Sequence, residues 1–167
     1  DGETEADWVS LSLDPHLDRQ TGCFFTAYAS GSVIDGVYSD DRRKDDTWDA
    51  VWEVETSIDA EGWSAEFYIP YYVMRFSPQD EYTWGLNIER HISRKQERTH
   101  WNLMRKGAPG LVSQFGYLEG IRDIDPPLHL EYMPYGMGRT IVNGSTDYFG
   151  NAGVDIRYGV TSSLSLN

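Results

Sequence analysis

Five aspartates sit on short connections in the first third of the chain: Asp14 and Asp18 in "LDPHLDRQTG", then Asp35, Asp46 and Asp49 around a second acidic loop. Carboxylates clustered on loops suit a hard cation such as Ca²⁺, which takes 6 to 8 oxygen ligands, some of them backbone carbonyls. No twelve-residue EF-hand pattern accompanies them. The alternative use of such residues, as solvated turn acids at strand ends, stays open. Calcium is therefore an expected cofactor with those five residues as its ligand pool.

Glu66 and Arg90 pose a different problem, because both fall inside alternating, strand-like runs. Arg90 is in phase with Ile88 and Ile92, and an inward-facing Arg needs a carboxylate, so a structural ion pair with Glu66 is expected, with Arg75 as competitor for that acid. His16, His91, His100 and His129 show no metal-ligand spacing, and no Ser or Cys nucleophile motif is present. A glycoside hydrolase would pair such a carboxylate with a second one roughly 5 to 9 Å away, a separation that sequence does not give. A non-catalytic protein is expected.

The elements that must position these groups read as strands. Val9, Leu11 and Leu13 share one face of "WVSLSLD"; Trp63, Ala65, Phe67 and Ile69 form a row in "GWSAEFYIP"; Trp84, Leu86, Ile88 and Ile92 form another. This two-residue period, with Gly- and Asp-rich turns between, predicts an antiparallel β-sandwich. Trp52, Trp63, Trp84 and Trp101 lie in phase with apolar neighbours and are expected in the core. After Pro70, "YYVMRFS" offers a turn or two of helix at most.

The 167 residues allow one ordinary domain and an appendage. A net charge of −13 makes nucleic acid and anionic lipid poor partners for the chain as a whole. Residues 1–66 carry 17 acids and 4 bases, while 67–167 carry 10 of each. Cys23, the only cysteine, excludes an internal disulfide. The paired prolines at 126 and 127 predict an extended hinge over residues 123–127, closing a sandwich that spans 1–122. Beyond it, 128–167 reads as two long strands joined through "NGSTDYFGN", with Val154, Ile156, Tyr158 and Val160 on one face. Such a hairpin is long enough to open a transmembrane barrel, whose strands need ~9 to 11 residues; a soluble hairpin folded back on the sandwich is the alternative. The last strand has no successor to pair with, and the opening "DGETEADW" looks like a processed end, so the chain reads as a fragment.

In order, "TGCFFTAYASGSVIDG", "WDAVWE", "GWSAEFYIPYYVMRF", "WGLNIERHISR" and "FGYLEGI" resemble the carbohydrate-binding module family 9-like domain. The version most resembled is fused to a C-terminal outer-membrane β-barrel domain of unknown function in Gram-negative bacteria. The resemblance implies a glycan-binding sandwich in the cell envelope, between periplasm and outer membrane, with residues 128–167 beginning a barrel. It also implies stacking of sugar rings on aromatic faces, with polar groups satisfying the hydroxyls. Trp48, in a loop beside "DDRRKDD", is the candidate platform; anchoring of that loop is its alternative role. The implied partner is a glycan or, if no sugar binds, an envelope protein docked on a structural periplasmic domain.

Overall fold

The computed structural model describes residues 6–126, 130–142, 146–161 and 164–166. The chain is all-β and antiparallel, and it divides into two units at Pro127 and Leu128.

In the first unit, β1 (Trp8–Asp14), β2 (Gly22–Tyr28), β3 (Val33–Ser39), β4 (Arg43–Asp45), β7 (Glu81–Ile92) and β8 (Glu97–His100) form a curled sheet in the order β4-β3-β2-β1-β7-β8. A further strand, β9 (Gly116–Arg122), pairs with the first half of β7. The register places Leu13 between Cys23 and Leu86, and Leu11 between Phe25 and Ile88, so the apolar positions of four strands share one face. That face is covered by a hairpin of β5 (Glu53–Ile58) and β6 (Trp63–Tyr68) and by the stretch around a single 3₁₀ turn at Tyr71–Val73. Two antiparallel layers thus enclose a core of Leu13, Cys23, Phe25, Met74, Phe76, Tyr82 and Trp84, the arrangement of a β-sandwich.

The aromatic rings lock this core. Phe25, fully buried, takes Trp52 edge-on at 5.2 Å, and Trp52 stacks on Phe67 of the covering hairpin with an interplanar angle of 3°. The Trp52 indole N–H donates to Asp35 Oδ2 at 2.6 Å, so the body of the ring is buried while its polar edge is satisfied. Trp84 is buried as expected, and Trp52 and Trp63 are half-buried. Trp101 is not a core residue: it is 58% exposed, because it follows the last residue of β8 on an irregular segment and lies over Gly116 instead of between the layers.

The second unit is a meander. β10 (Leu130–Val142) pairs with β11 (Thr146–Thr161) without a break from Leu130–Tyr158 to Val142–Thr146. The sequence reading made "DYFGN" part of the turn; in the structure these residues belong to β11, where Tyr148 and Phe149, both favourable strand formers, stand opposite Thr140 and Arg139. The run expected as one closing strand also divides, since Leu164–Leu166 forms a separate strand, β12, paired back onto β11. β11 therefore has a neighbour on each side. Among the described residues β10 has a neighbour on one side only, a position in which a Pro such as Pro134 is tolerated. Among the described residues no helix is long and apolar enough to cross a membrane, a statement that does not bear on strands.

Candidate functional site

β1 ends in a carboxylate, and that carboxylate builds the loop that follows. Asp14 is fully buried and accepts the backbone N–H groups of Asp18 at 3.3 Å and Arg19 at 2.9 Å. Asp18 repeats the pattern one turn later: its Oδ1 takes the N–H groups of Gln20 and Thr21 at 2.7 Å, and its Oδ2 takes the Thr21 hydroxyl at 2.6 Å. Leu17 and Arg19 adopt left-handed backbone, φ 52° and 62°, which costs a side-chain-bearing residue energy that these bonds help offset. Arg19 closes the loop from the far side, donating to the Phe115 carbonyl at 2.7 Å while its guanidinium lies over the Tyr117 ring.

The same bonds decide what these acids can offer a cation. Burial, reinforced by the Asp18 charge, pushes the Asp14 carboxyl above its ordinary value despite the N–H groups it accepts. Burial also opposes ionisation of Asp18, but the Thr21 and Gln20 donors outweigh it and hold that carboxyl below the usual range. Asp35 is bonded to Trp52 on the inner face of β3, while Asp46 and Asp49 are exposed on the connection to β5. Asp14 and Asp18 are thus brought together, the other three are elsewhere, and among the described residues no three His, Cys, Asp or Glu side chains converge as metal ligands would. Asp14, Asp18 and Asp35 act as acceptors for N–H groups that a loop or an indole would otherwise leave unpaired.

A pH signature follows for Asp14. Because its folded-state pKa is raised above the ordinary 3.8, the folded protein holds this proton more tightly than the unfolded chain does. Its contribution to stability is therefore largest at low pH and declines as pH rises from about 3.8 through the folded-state value. Asp14→Asn does not titrate, so its melting temperature relative to the parent is expected to improve between pH ~4 and pH ~7. A constant difference across that interval would contradict this account of Asp14.

The loop built by Asp14 and Asp18 forms one wall of a cleft of about 350 Å³. Pro15, His16 and Thr21 line it from the loop, Tyr38 from β3, Trp48 from the connection after β4, and Met74 and Arg75 from the stretch after the 3₁₀ turn. Trp48 is half-buried, edge-on to Phe25 at 6.0 Å, so it both anchors its loop and presents surface to the cleft. Cys23 also borders the cleft, but burial, with the nearby Asp14 charge, pushes its thiol up to about 12, which leaves no thiolate for nucleophilic chemistry.

Glu66 and Arg90 do not meet. Glu66 stands opposite Glu55 on the exposed face of the covering hairpin, the face away from Trp63 and Phe67, whereas Arg90 continues the inner row of β7 and borders a second cavity of about 350 Å³ with Val9, Leu11 and Trp63. Among the described residues no ion pair joins them. The reason is the hairpin's period: placing Trp63 and Phe67 inward sends Glu66 outward.

The other face of the large sheet carries the polar residues that alternate with the core positions. Thr26, Ser10, Glu89 and His100 stand side by side in register on four neighbouring strands. Ser10 and Thr26 are buried, and the Thr26 hydroxyl donates to Ser10 Oγ at 2.9 Å. A segment from residue 101 to 115, including a 3₁₀ turn at Val112–Gln114, folds over part of this face and buries Phe24, Tyr38, Val112 and Phe115 together. Asp41 holds that segment through the N–H groups of Leu111 at 3.0 Å and Ser113 at 2.7 Å and the Ser113 hydroxyl at 2.7 Å. Between sheet and segment lies a groove of about 1090 Å³. Beyond the short alternating run that ends at Met104 the segment has no periodic pattern, so neither its course nor the groove has a signal in the sequence beyond the alternate Ser10, Ser12 and Thr26 hydroxyls.

No family model, curated protein or solved structure matches the chain.

Proposed function

We propose that the sandwich is a non-catalytic glycan-binding module, and that the second unit belongs to an outer-membrane barrel on whose periplasmic side the module is displayed. The observation that carries the sugar-binding part is the convergence of an aromatic ring, Trp48, with His16, Thr21 and Arg75 around one cleft. A pyranose offers C–H groups to an indole and hydroxyls to imidazole, hydroxyl and guanidinium groups, and a cleft of about 350 Å³ lies within the usual range for small-ligand sites. The walls are set before any ligand arrives, by Asp14 and Asp18 on one side and by the Trp48–Phe25 contact on the other, so little ordering cost is left for binding. The barrel part is supported by the two long strands of the second unit, 13 and 16 residues, each exceeding the ~9 to 11 needed to cross a bilayer.

Titration of the 167-residue chain with xylo- and cello-oligosaccharides tests the reading. Binding heat is expected with at least one series, to be abolished by Trp48→Ala and weakened by Arg75→Gln. Arg75 is exposed, so its replacement leaves the core intact and separates loss of binding from loss of fold. No heat with any glycan, together with co-purification of an envelope protein, would transfer support to a docking role; the exposed Tyr68 and Tyr72, 65% and 59% accessible, are the surface that favours it.

A further inference from the structure

The groove on the opposite face of the sheet has a charge unlike that of the chain around it. Among the described residues Arg42, Lys44, Arg98, Arg105 and Lys106 line it against a single carboxylate, Glu89, in a protein whose net charge is −13. Glu89 is already met by Arg98 at 3.9 Å and by His100 at 4.0 Å. Arg42 donates to the Ala108 carbonyl and Lys44 sits 4.1 Å from the Phe24 ring centroid, so both are fixed by contacts that leave their charge uncompensated. Among the described residues no carboxylate lies within ion-pair range of Arg42, Lys44, Arg105 or Lys106.

We propose that this groove binds an acidic oligosaccharide, with uronate carboxylates against the cations and ring hydroxyls against the Ser10–Thr26 floor. Three observations select this ligand class. A volume of about 1090 Å³ is far more than one small anion fills, so an extended molecule is called for. The floor supplies neutral hydroxyls, Ser10 and Thr26, and Tyr28 borders the rim beside Trp8, whose ring is already stacked on His91 with the Arg98 guanidinium 5.5 Å from its centroid. Guanidinium groups match carboxylates in a two-bond fork. A polynucleotide would carry its charge well past the groove, into the negative field of the remaining surface. The groove shares only Tyr38 with the Trp48 cleft, so the two sites fail or succeed separately.

The test is calorimetric titration of the whole chain with oligogalacturonate and with the same oligomer methyl-esterified, which keeps the rings and removes the charge. The acid form is expected to bind, with affinity falling as salt is raised, and the ester to bind roughly tenfold more weakly or not at all. The double variant Arg105→Gln, Lys106→Gln should weaken the acid form by about tenfold with an unchanged melting temperature. Glu89→Gln, which removes the only carboxylate among the described residues that line the groove, should tighten it. Trp48→Ala should leave it unaltered. Equal affinity for acid and ester, no binding of the acid form, or equally tight binding of inorganic phosphate or of a single-stranded oligonucleotide would each overturn the proposal.

Discussion

Phe25→Ala is expected to cost about 3–5 kcal/mol, enough to unfold much of a domain whose total stability is of order 5–15 kcal/mol. The size follows from the position of the ring. Phe25 lies on the inner face of β2 with no exposed surface, opposite Leu11, and both Trp48 and Trp52 meet it edge-on. Truncation removes the apolar area of one ring and leaves a cavity that two indoles, one tied to Asp35 and the other to its loop, cannot collapse to fill. Urea denaturation of parent and variant measures this directly. A loss below about 1.5 kcal/mol, the scale of a volume-conserving swap, would mean that the two layers are not packed through Phe25.

Gly36→Ala is the second large effect, and it acts through the backbone. Gly36 is buried in β3, and a Cβ there would collide with the Asp45 carbonyl oxygen of β4 and with the Phe24 ring of β2. Neither obstacle can give way cheaply, since one is main chain in a paired strand and the other is a fully buried ring. The expected cost is about 3 kcal/mol, at the upper end for overpacking. Because Lys44 sits over Phe24, the substitution should also displace a wall of the basic groove. A variant melting within a degree of the parent would show that β3 and β4 separate more easily than their register implies.

Both effects rest on features of unequal legibility in the sequence. Val9, Leu11, Leu13, Trp84, Leu86 and Ile88 alternate with Ser, Gly and Asn, and a two-residue period has one structural meaning when one face is buried, so the all-β class and the inner face of the sheet could be read directly. Gly36 gave no such signal, because its necessity comes from Phe24 and Asp45 on two other strands. The sequence leaves the acids between cation ligation and a turn role, and composition does not separate the two uses; in the structure Asp14, Asp18 and Asp41 accept N–H groups from loop backbone. Trp101, in phase with Leu103, falls outside the core because the strand that approaches it ends at His100. The groove went unseen because its second wall is the irregular stretch 101–115, whose course depends on Asp41 some seventy residues earlier.

The exposed Trp101 and the half-buried Trp48 also supply the sharpest test of where a sugar would bind. The six indole N–H groups give six separate proton–nitrogen resonances, each assignable by substitution. On addition of a xylo- or cello-oligosaccharide that produces binding heat, the Trp48 resonance is expected to move in a saturable way while that of Trp84, buried between the layers, stays in place. Movement confined to Trp101, or no movement of any indole at saturating sugar, would contradict a glycan site in the Trp48 cleft.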